Sequence, residues 1–139
     1  IARQQKRWCA LIAYSGDSGE RILPLPLGKW DEVALMDWLE AFIGQGSDLD
    51  VPVREMPKFY ESLKAPKGKT DLIFLTDAAC SISGKLAKTF IDWKRSVQAK
   101  LITLVIDSEP VDLAKISDEV HRIRSVDVSE YGVERILSI

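Results

Sequence analysis

The side chains Ser47, Asp48 and Asp50 fall inside the stretch GQGSDLD at residues 44 to 50, and Asp77 follows the apolar run DLIFLT at 71 to 76. Hydroxyl and carboxylate oxygens are hard ligands, and with waters they suit Mg²⁺, which favours octahedral oxygen coordination. Asp48 has a second use, because a short acidic side chain can hydrogen-bond to its own backbone and cap the bend it sits in. For Ser47 and Asp77 to share a ligand, a glycine-rich bend after a helix and the tip of a strand must open on one crevice. In an α/β sheet that crevice lies outside the carboxyl ends of the strands, at a switch point in strand order.

Other chemistry-bearing residues fit worse. GDSG at 16 to 19 has the look of a serine nucleophile segment, but the sole histidine, His121, lies far downstream, and a tight hairpin turn accounts for two glycines around Asp-Ser. GKT at 68 to 70 resembles the end of a phosphate-binding loop, yet Leu63 stands where the first glycine belongs, and the segment precedes a strand instead of following one. DLD at 48 to 50 echoes the paired aspartates of haloacid-dehalogenase-type phosphatases, whose first aspartate follows a buried strand and not a helix. A receiver domain would place an acidic pair near its first strand and a lysine after its last central strand, and neither stands where it should. His121, alone at the start of an apolar strand, reads as a structural residue. Trp30, Trp38 and Trp93 fit helix faces that pack.

Composition narrows the class further. With 139 residues, 46% of them hydrophobic, the chain can bury one ordinary core and is too short for two. The 19 Lys and Arg against 21 Asp and Glu include no long basic run, which argues against nucleic acid as a principal partner. Cys9 and Cys80 are the only cysteines, without a Cys-x-x-Cys or Cys/His cluster, and suit a reduced setting. Apolar runs such as CALIAY fall far short of the ~20 residues of a membrane span, so a soluble, cytoplasmic protein is expected.

The elements that must position Ser47 and Asp77 follow from periodicity. WCALIAY at 8 to 14 reads as a buried strand, and ERILPLP after the SGDSG turn as its hairpin partner, confined to a sheet edge by Pro24 and Pro26. Trp30, Val33, Ala34, Trp38, Leu39 and Phe42 have helical spacing, with Gly44 as the stop. Val53, Met56, Phe59, Tyr60 and Leu63 repeat that spacing, but Pro57 predicts a turn first and a helix from about that residue. After the loop APKGK, DLIFLT is a buried strand; Ile82, Leu86, Phe90, Trp93 and Val97 line a helix; LITLVI at 101 to 106 is the next strand. A short helix through 112 to 119, a strand HRIRSV and a last helix from Ser129 complete the order. Alternating strands and helices predict a parallel sheet, made mixed by the edge hairpin.

This order of elements, with GQGSDLDVPV and DLIFLTDA, resembles a von Willebrand factor type A domain over nearly the whole chain from about Arg7. The similarity is to the bacterial intracellular branch of the ViaA and CoxE kind, which carries Gly-Gly-Thr-Asp-Leu after its second helix and a Leu-Ile-Ser-Asp strand after its third. The resemblance implies a single three-layer Rossmann-like α/β domain, its mostly parallel central sheet bearing an antiparallel edge strand, with helices on both faces. It also implies a metal-ion-dependent adhesion site on three loops, in which Ser47 takes the place of a metal-binding threonine. Asp77 matches the third-loop aspartate that acts through water, and Asp48 the aspartate that follows the threonine. The Asp-x-Ser-x-Ser run that supplies most ligands is absent. Either residues 1 to 139 are a fragment lacking the first strand and most of the first helix, or this member has lost its metal site; the helix-tail character of IARQQKR favours the fragment. In that fold the missing strand lies between CALIAY and DLIFLT, so upstream sequence, a swapped strand or direct pairing of the two neighbours must satisfy their edges.

The function so implied is a non-enzymatic protein-interaction domain. Mg²⁺ would leave one coordination position for a carboxylate of the partner, a MoxR-type AAA+ ATPase acting in protein-complex assembly. Two other readings stay open: a metal-free scaffold of the same fold, and a Mg²⁺-dependent phosphoryl-transfer or phospho-acceptor domain using Asp77.

Overall fold

A computed structural model describes residues 7–14, 20–26, 29–41, 49–77, 81–109 and 112–124. The run CALIAY forms strand β1 (Cys9–Tyr14), which pairs antiparallel with β2 (Glu20–Leu25), Cys9 opposite Leu25 and Tyr14 opposite Glu20. Pro24 sits within β2, which among the described residues has β1 as its one neighbour, the edge position that a residue without an N–H tolerates.

Helix α1 (Glu32–Glu40) begins at Asp31, whose Oδ1 accepts the N–H groups of Val33 and Ala34 at 3.0 and 3.1 Å. It rests on β2, and the Trp38 indole donates to the Arg21 carbonyl at 3.2 Å. The apolar spacing suggested a packed face, but no residue of α1 is buried, and Val33 and Leu39 are 71% and 60% exposed. Trp30 and Trp38 are half-buried.

Helix α2 (Asp50–Ser62) starts well before the predicted position and carries Pro57 in its interior. Pro52 stands in the first turn, where its missing N–H would have had no helical partner. Pro57 costs about 3 kcal/mol. Burial of Val53, Phe59 and Tyr60, each worth about 1.5 to 3 kcal/mol, offsets it. Local propensity lost to packing.

The remaining elements alternate as expected: β3 (Asp71–Thr76), α3 (Gly84–Val97), β4 (Lys100–Ile106), α4 (Leu113–Ile116) and β5 (Glu119–Ile123). The strands form a parallel sheet in the order β3-β4-β5, with Leu72 beside Leu101, Phe74 beside Thr103, and Thr103 in turn beside Val120. The chain is thus an α/β fold of a parallel sheet and an antiparallel hairpin. Helix α4 is shorter than predicted because Ser117 turns extended, and β5 begins at Glu119 instead of His121. The predicted last helix from Ser129 lies outside the described residues.

One face of the parallel sheet carries the core. Leu72, Phe74, Leu101 and Val105 pack with Leu49, Val53 and Tyr60 around α2, with Ala87 and Phe90 of α3, and with Leu113 and Ile116 of α4. On the other face Ile73 and Leu75 are 62% and 57% exposed. The hairpin and the parallel sheet are separate sheets among the described residues. Side chains bridge them: Arg7 pairs with Asp71 at 3.2 Å, and the Tyr14 and Phe74 ring centroids are 5.6 Å apart. Direct ladder pairing of β1 with β3, one of the three ways to satisfy their edges, is not what is found there.

A buried lysine ties the parallel sheet to its helices. Lys94 of α3 donates to the Ile116 carbonyl at 2.8 Å and to Asp118 Oδ2 at 2.6 Å, and the same oxygen accepts the Leu101 N–H at 2.8 Å. Burial by itself raises the Asp118 carboxyl, but the hydrogen bonds from Lys94 and Leu101 outweigh it and hold the group below its ordinary value.

Two expectations follow for stability. Lys94→Ala removes the partner of Asp118, and because Asp118 is partly solvated the loss is about 2 kcal/mol in urea unfolding, short of the full cost of breaking a deeply buried pair. The Asp118 contribution is fully present above the unfolded-state value near 3.9 and is lost as pH falls through the lower folded value, so Asp118→Asn flattens the acid limb of the stability profile. Tyr60 stacks edge-on against Trp93, and its enclosed hydroxyl has no hydrogen-bond partner among the described residues. Tyr60→Phe therefore raises the thermal midpoint, by a gain of about 1 kcal/mol.

Candidate functional site

Parallel pairing brings the carboxyl ends of β3, β4 and β5 to one edge of the sheet. Asp77 follows β3 directly and is exposed, while Thr76 before it is buried. This is the strand-tip position that the sequence predicted for it. Ser47 and Asp48 lie outside the described residues. The next residue, Leu49, is fully buried in the core at the start of α2.

The start of α2 touches the connection that Asp77 opens. Asp50 Oδ1 accepts the Ser83 N–H at 3.3 Å. Ser83 is the N-cap of α3, its hydroxyl accepting the Leu86 N–H at 3.4 Å, so its own N–H lies outside the helical ladder and is free to be taken by a neighbour. The preceding N–H, that of Ile82, goes to Asp112 Oδ2 at 3.1 Å. Asp112 is the residue before α4, and its other oxygen pairs with Lys115 one turn on. The hydrogen bond from Lys115, and then that from the Ile82 N–H, holds the Asp112 carboxyl below its ordinary value. Two successive backbone donors at the mouth of α3 are thus received by carboxylates from two other helices.

Neither Asp112 nor this use of Asp50 was read from the sequence. The signal was faint: an aspartate before a short apolar run with a lysine three residues on, as in DLAKI. The partners lie about thirty residues apart, and no periodicity records such a pairing.

Other candidates fall elsewhere. His121 lies on β5, in register with Leu104, which is itself in register with Leu75, and so two strands away from β3. Its enclosed Nε2 is 3.5 Å from Glu119 Oε2 and has no hydrogen-bond partner among the described residues, so the hydrogen-bonded structural role expected of it is not what is found. Gly68, with φ of 69°, and Thr70, whose hydroxyl donates to the Pro66 carbonyl at 2.9 Å, form the loop before β3 in place of a phosphate cradle. GDSG lies outside the described residues.

Of the three candidate ligands, Asp77 is described and exposed; Ser47 and Asp48 are outside the described residues. Among the described residues no three His, Cys, Asp or Glu side chains converge to hold a metal. The same residues include no helix long and apolar enough to cross a membrane.

Comparison with known proteins adds little about function. No family model matches the chain, and no solved structure matches it. An uncharacterised protein of Methanocaldococcus jannaschii is 25% identical over 117 residues, which cover 84% of this chain. The chain spans 28% of that relative's length.

Proposed function

We propose that this chain is a non-enzymatic protein-interaction domain of the von Willebrand A type, built around a divalent-metal site to which Ser47 and Asp77 contribute, with Asp48 beside them. The single observation that supports this most is the contact of Asp50 with the Ser83 N–H at 3.3 Å. It joins the first turn of α2, which follows the Ser47 segment in the sequence, to the cap of α3, which follows the segment that starts at Asp77. An exposed Asp77 suits a metal that must also accept a ligand from outside, since Mg²⁺ retains exchangeable waters. The partner would supply a carboxylate to that open position. By the resemblance in its sequence, the partner is a MoxR-type AAA+ ATPase, met in the cytoplasm during assembly of other complexes, and the remaining metal ligands come from an Asp-x-Ser-x-Ser loop.

The exposure of Asp77 at a strand tip also suits a phospho-acceptor. Incubation with acetyl phosphate and Mg²⁺ separates the two readings, because stable phosphate on Asp77 in an intact-mass measurement favours the second.

Calorimetric titration of the full-length protein with Mg²⁺ and Mn²⁺ tests the metal directly. Ser47→Ala and Asp77→Ala each weaken binding by about tenfold or more, as expected when one oxygen ligand of a small set is removed. Flat titrations for the unaltered protein and both variants leave the metal-free scaffold as the reading that stands.

A further inference from the structure

We propose that the outward face of α1 is a docking surface for a basic amphipathic helix of a partner protein. Helix α1 carries apolar residues on two sides, whereas a helix at the surface of a domain ordinarily keeps them on one. Ala34, Leu35 and Trp38 make the inner side, half-buried where α1 rests on β2. Val33, Met36 and Leu39 make the outer side and are 71%, 54% and 60% exposed. Steps of three residues set these side chains along one stripe, on a helix ~13 Å long. Scattered exposed apolar residues are ordinary; a continuous stripe of large ones marks a contact.

Charge decides what can cover it. Asp37 stands four residues beyond Val33, and Glu40 four beyond Met36, so each carboxylate is the helical neighbour of an exposed apolar side chain. Both are exposed, and neither has an ion pair among the described residues. From Trp30 to Ala41 the sequence has Asp31, Glu32, Asp37 and Glu40 but no Lys or Arg. The last turn of α1 therefore holds no basic residue, and its carboxylates add to the negative end of the helix dipole, where a cation is favoured.

An anionic lipid surface or a nucleic acid would meet like charge on this face. A second copy docked through the same face would set its own Asp37 and Glu40 against these. What complements the stripe is an apolar ridge flanked by Lys or Arg, and an amphipathic helix supplies both at matching spacing. It would lie on α1 with the two axes about 8 to 10 Å apart. No metal enters this contact, which stands or falls apart from the reading above.

Two labelled synthetic helices probe the surface, each with leucine at i, i+3, i+4 and i+7, one with lysine and the other with glutamate at the flanking positions. In fluorescence anisotropy with the full-length protein, the lysine peptide binds at least about tenfold more tightly than the glutamate peptide. Met36→Ser with Leu39→Ser weakens the lysine peptide about tenfold or more, and Asp37→Lys with Glu40→Lys reverses the preference between the two. All four positions are exposed, so these variants keep the thermal midpoint of the unaltered protein.

No binding overturns the proposal, and so does binding of the lysine peptide that ignores both pairs of substitutions, which is attraction to the acidic protein at large. A thermal midpoint that falls in Met36→Ser with Leu39→Ser means that another part of the full-length protein already covers the stripe. A dimer in sedimentation that dissociates on the same substitutions assigns the stripe to a second copy, and loss of binding to phosphatidylserine vesicles assigns it to a membrane. Each of these three results overturns the partner helix.

Discussion

Parallel pairing of β3, β4 and β5 is the constraint on which the rest of the molecule depends. Parallel neighbours cannot be joined by tight turns, so the chain must cross back between them, and α3 and α4 pack into the same core. That face is where Leu72, Phe74, Leu101 and Val105 are buried. The same geometry sends every strand's carboxyl end to one edge. The ends of β3 and β4 are consequently adjacent, with Thr76 beside Val105, although long stretches of sequence separate them. Asp107 shows how tight that edge is: it adopts a φ of 50°, in the left-handed region that aspartate tolerates better than most residues, while its N–H reaches the Ile123 carbonyl at 3.0 Å.

The parallel register is reinforced by polar groups. Lys94 is a long side chain on the buried face of an amphipathic helix, and its ammonium reaches the Ile116 carbonyl and Asp118 where α4 gives way to β5. Asp118 in turn takes the Leu101 N–H, and its own N–H goes back to the Leu101 carbonyl at 2.8 Å. Helix, strand and turn are thereby tied at one point, with Thr103 and Ser117 joined through their hydroxyls at 2.7 Å close by. Hydrophobic burial alone is non-directional and leaves neighbouring registers similar in energy; these bonds distinguish one register from the next.

What was legible in the sequence follows from where each constraint lies. DLIFLT and LITLVI are apolar runs of strand length, so β3 and β4 were visible almost to the residue. The α3 pattern from Ile82 to Val97 was equally plain from its amphipathic spacing, while the Ser83 cap that sets the start at Gly84 was not read. The start of α2 was not, because the cost of Pro57 is local and visible, whereas the burial that outweighs it depends on Leu49 and Val53 meeting residues far along the chain. The exposure of α1 was hidden for the same reason: spacing says which residues share a face, and only the fold says whether anything covers it. Asp77 could be placed because strand tips are predictable. Asp112 and Lys94 could not, because an aspartate bonded to a distant N–H and a lysine turned inward have the same local sequence as exposed ones.

The division of labour among the carboxylates at the strand tips has a physical basis. A carboxylate that accepts a backbone N–H and a lysine is favoured in its charged form, and for Asp112 the Lys115 bond is the larger cause and the Ile82 N–H the next. At neutral pH it stays ionised and stays occupied, so it contributes fixed geometry and little net field beyond its ion pair. Asp77 is exposed, where a charged carboxylate keeps its hydration. One carboxylate is thus held by a backbone and a lysine partner, and the other is left solvated. If Asp112 pointed outward and Asp77 were bonded to the backbone, the same composition would give a rigid loop with nothing to offer.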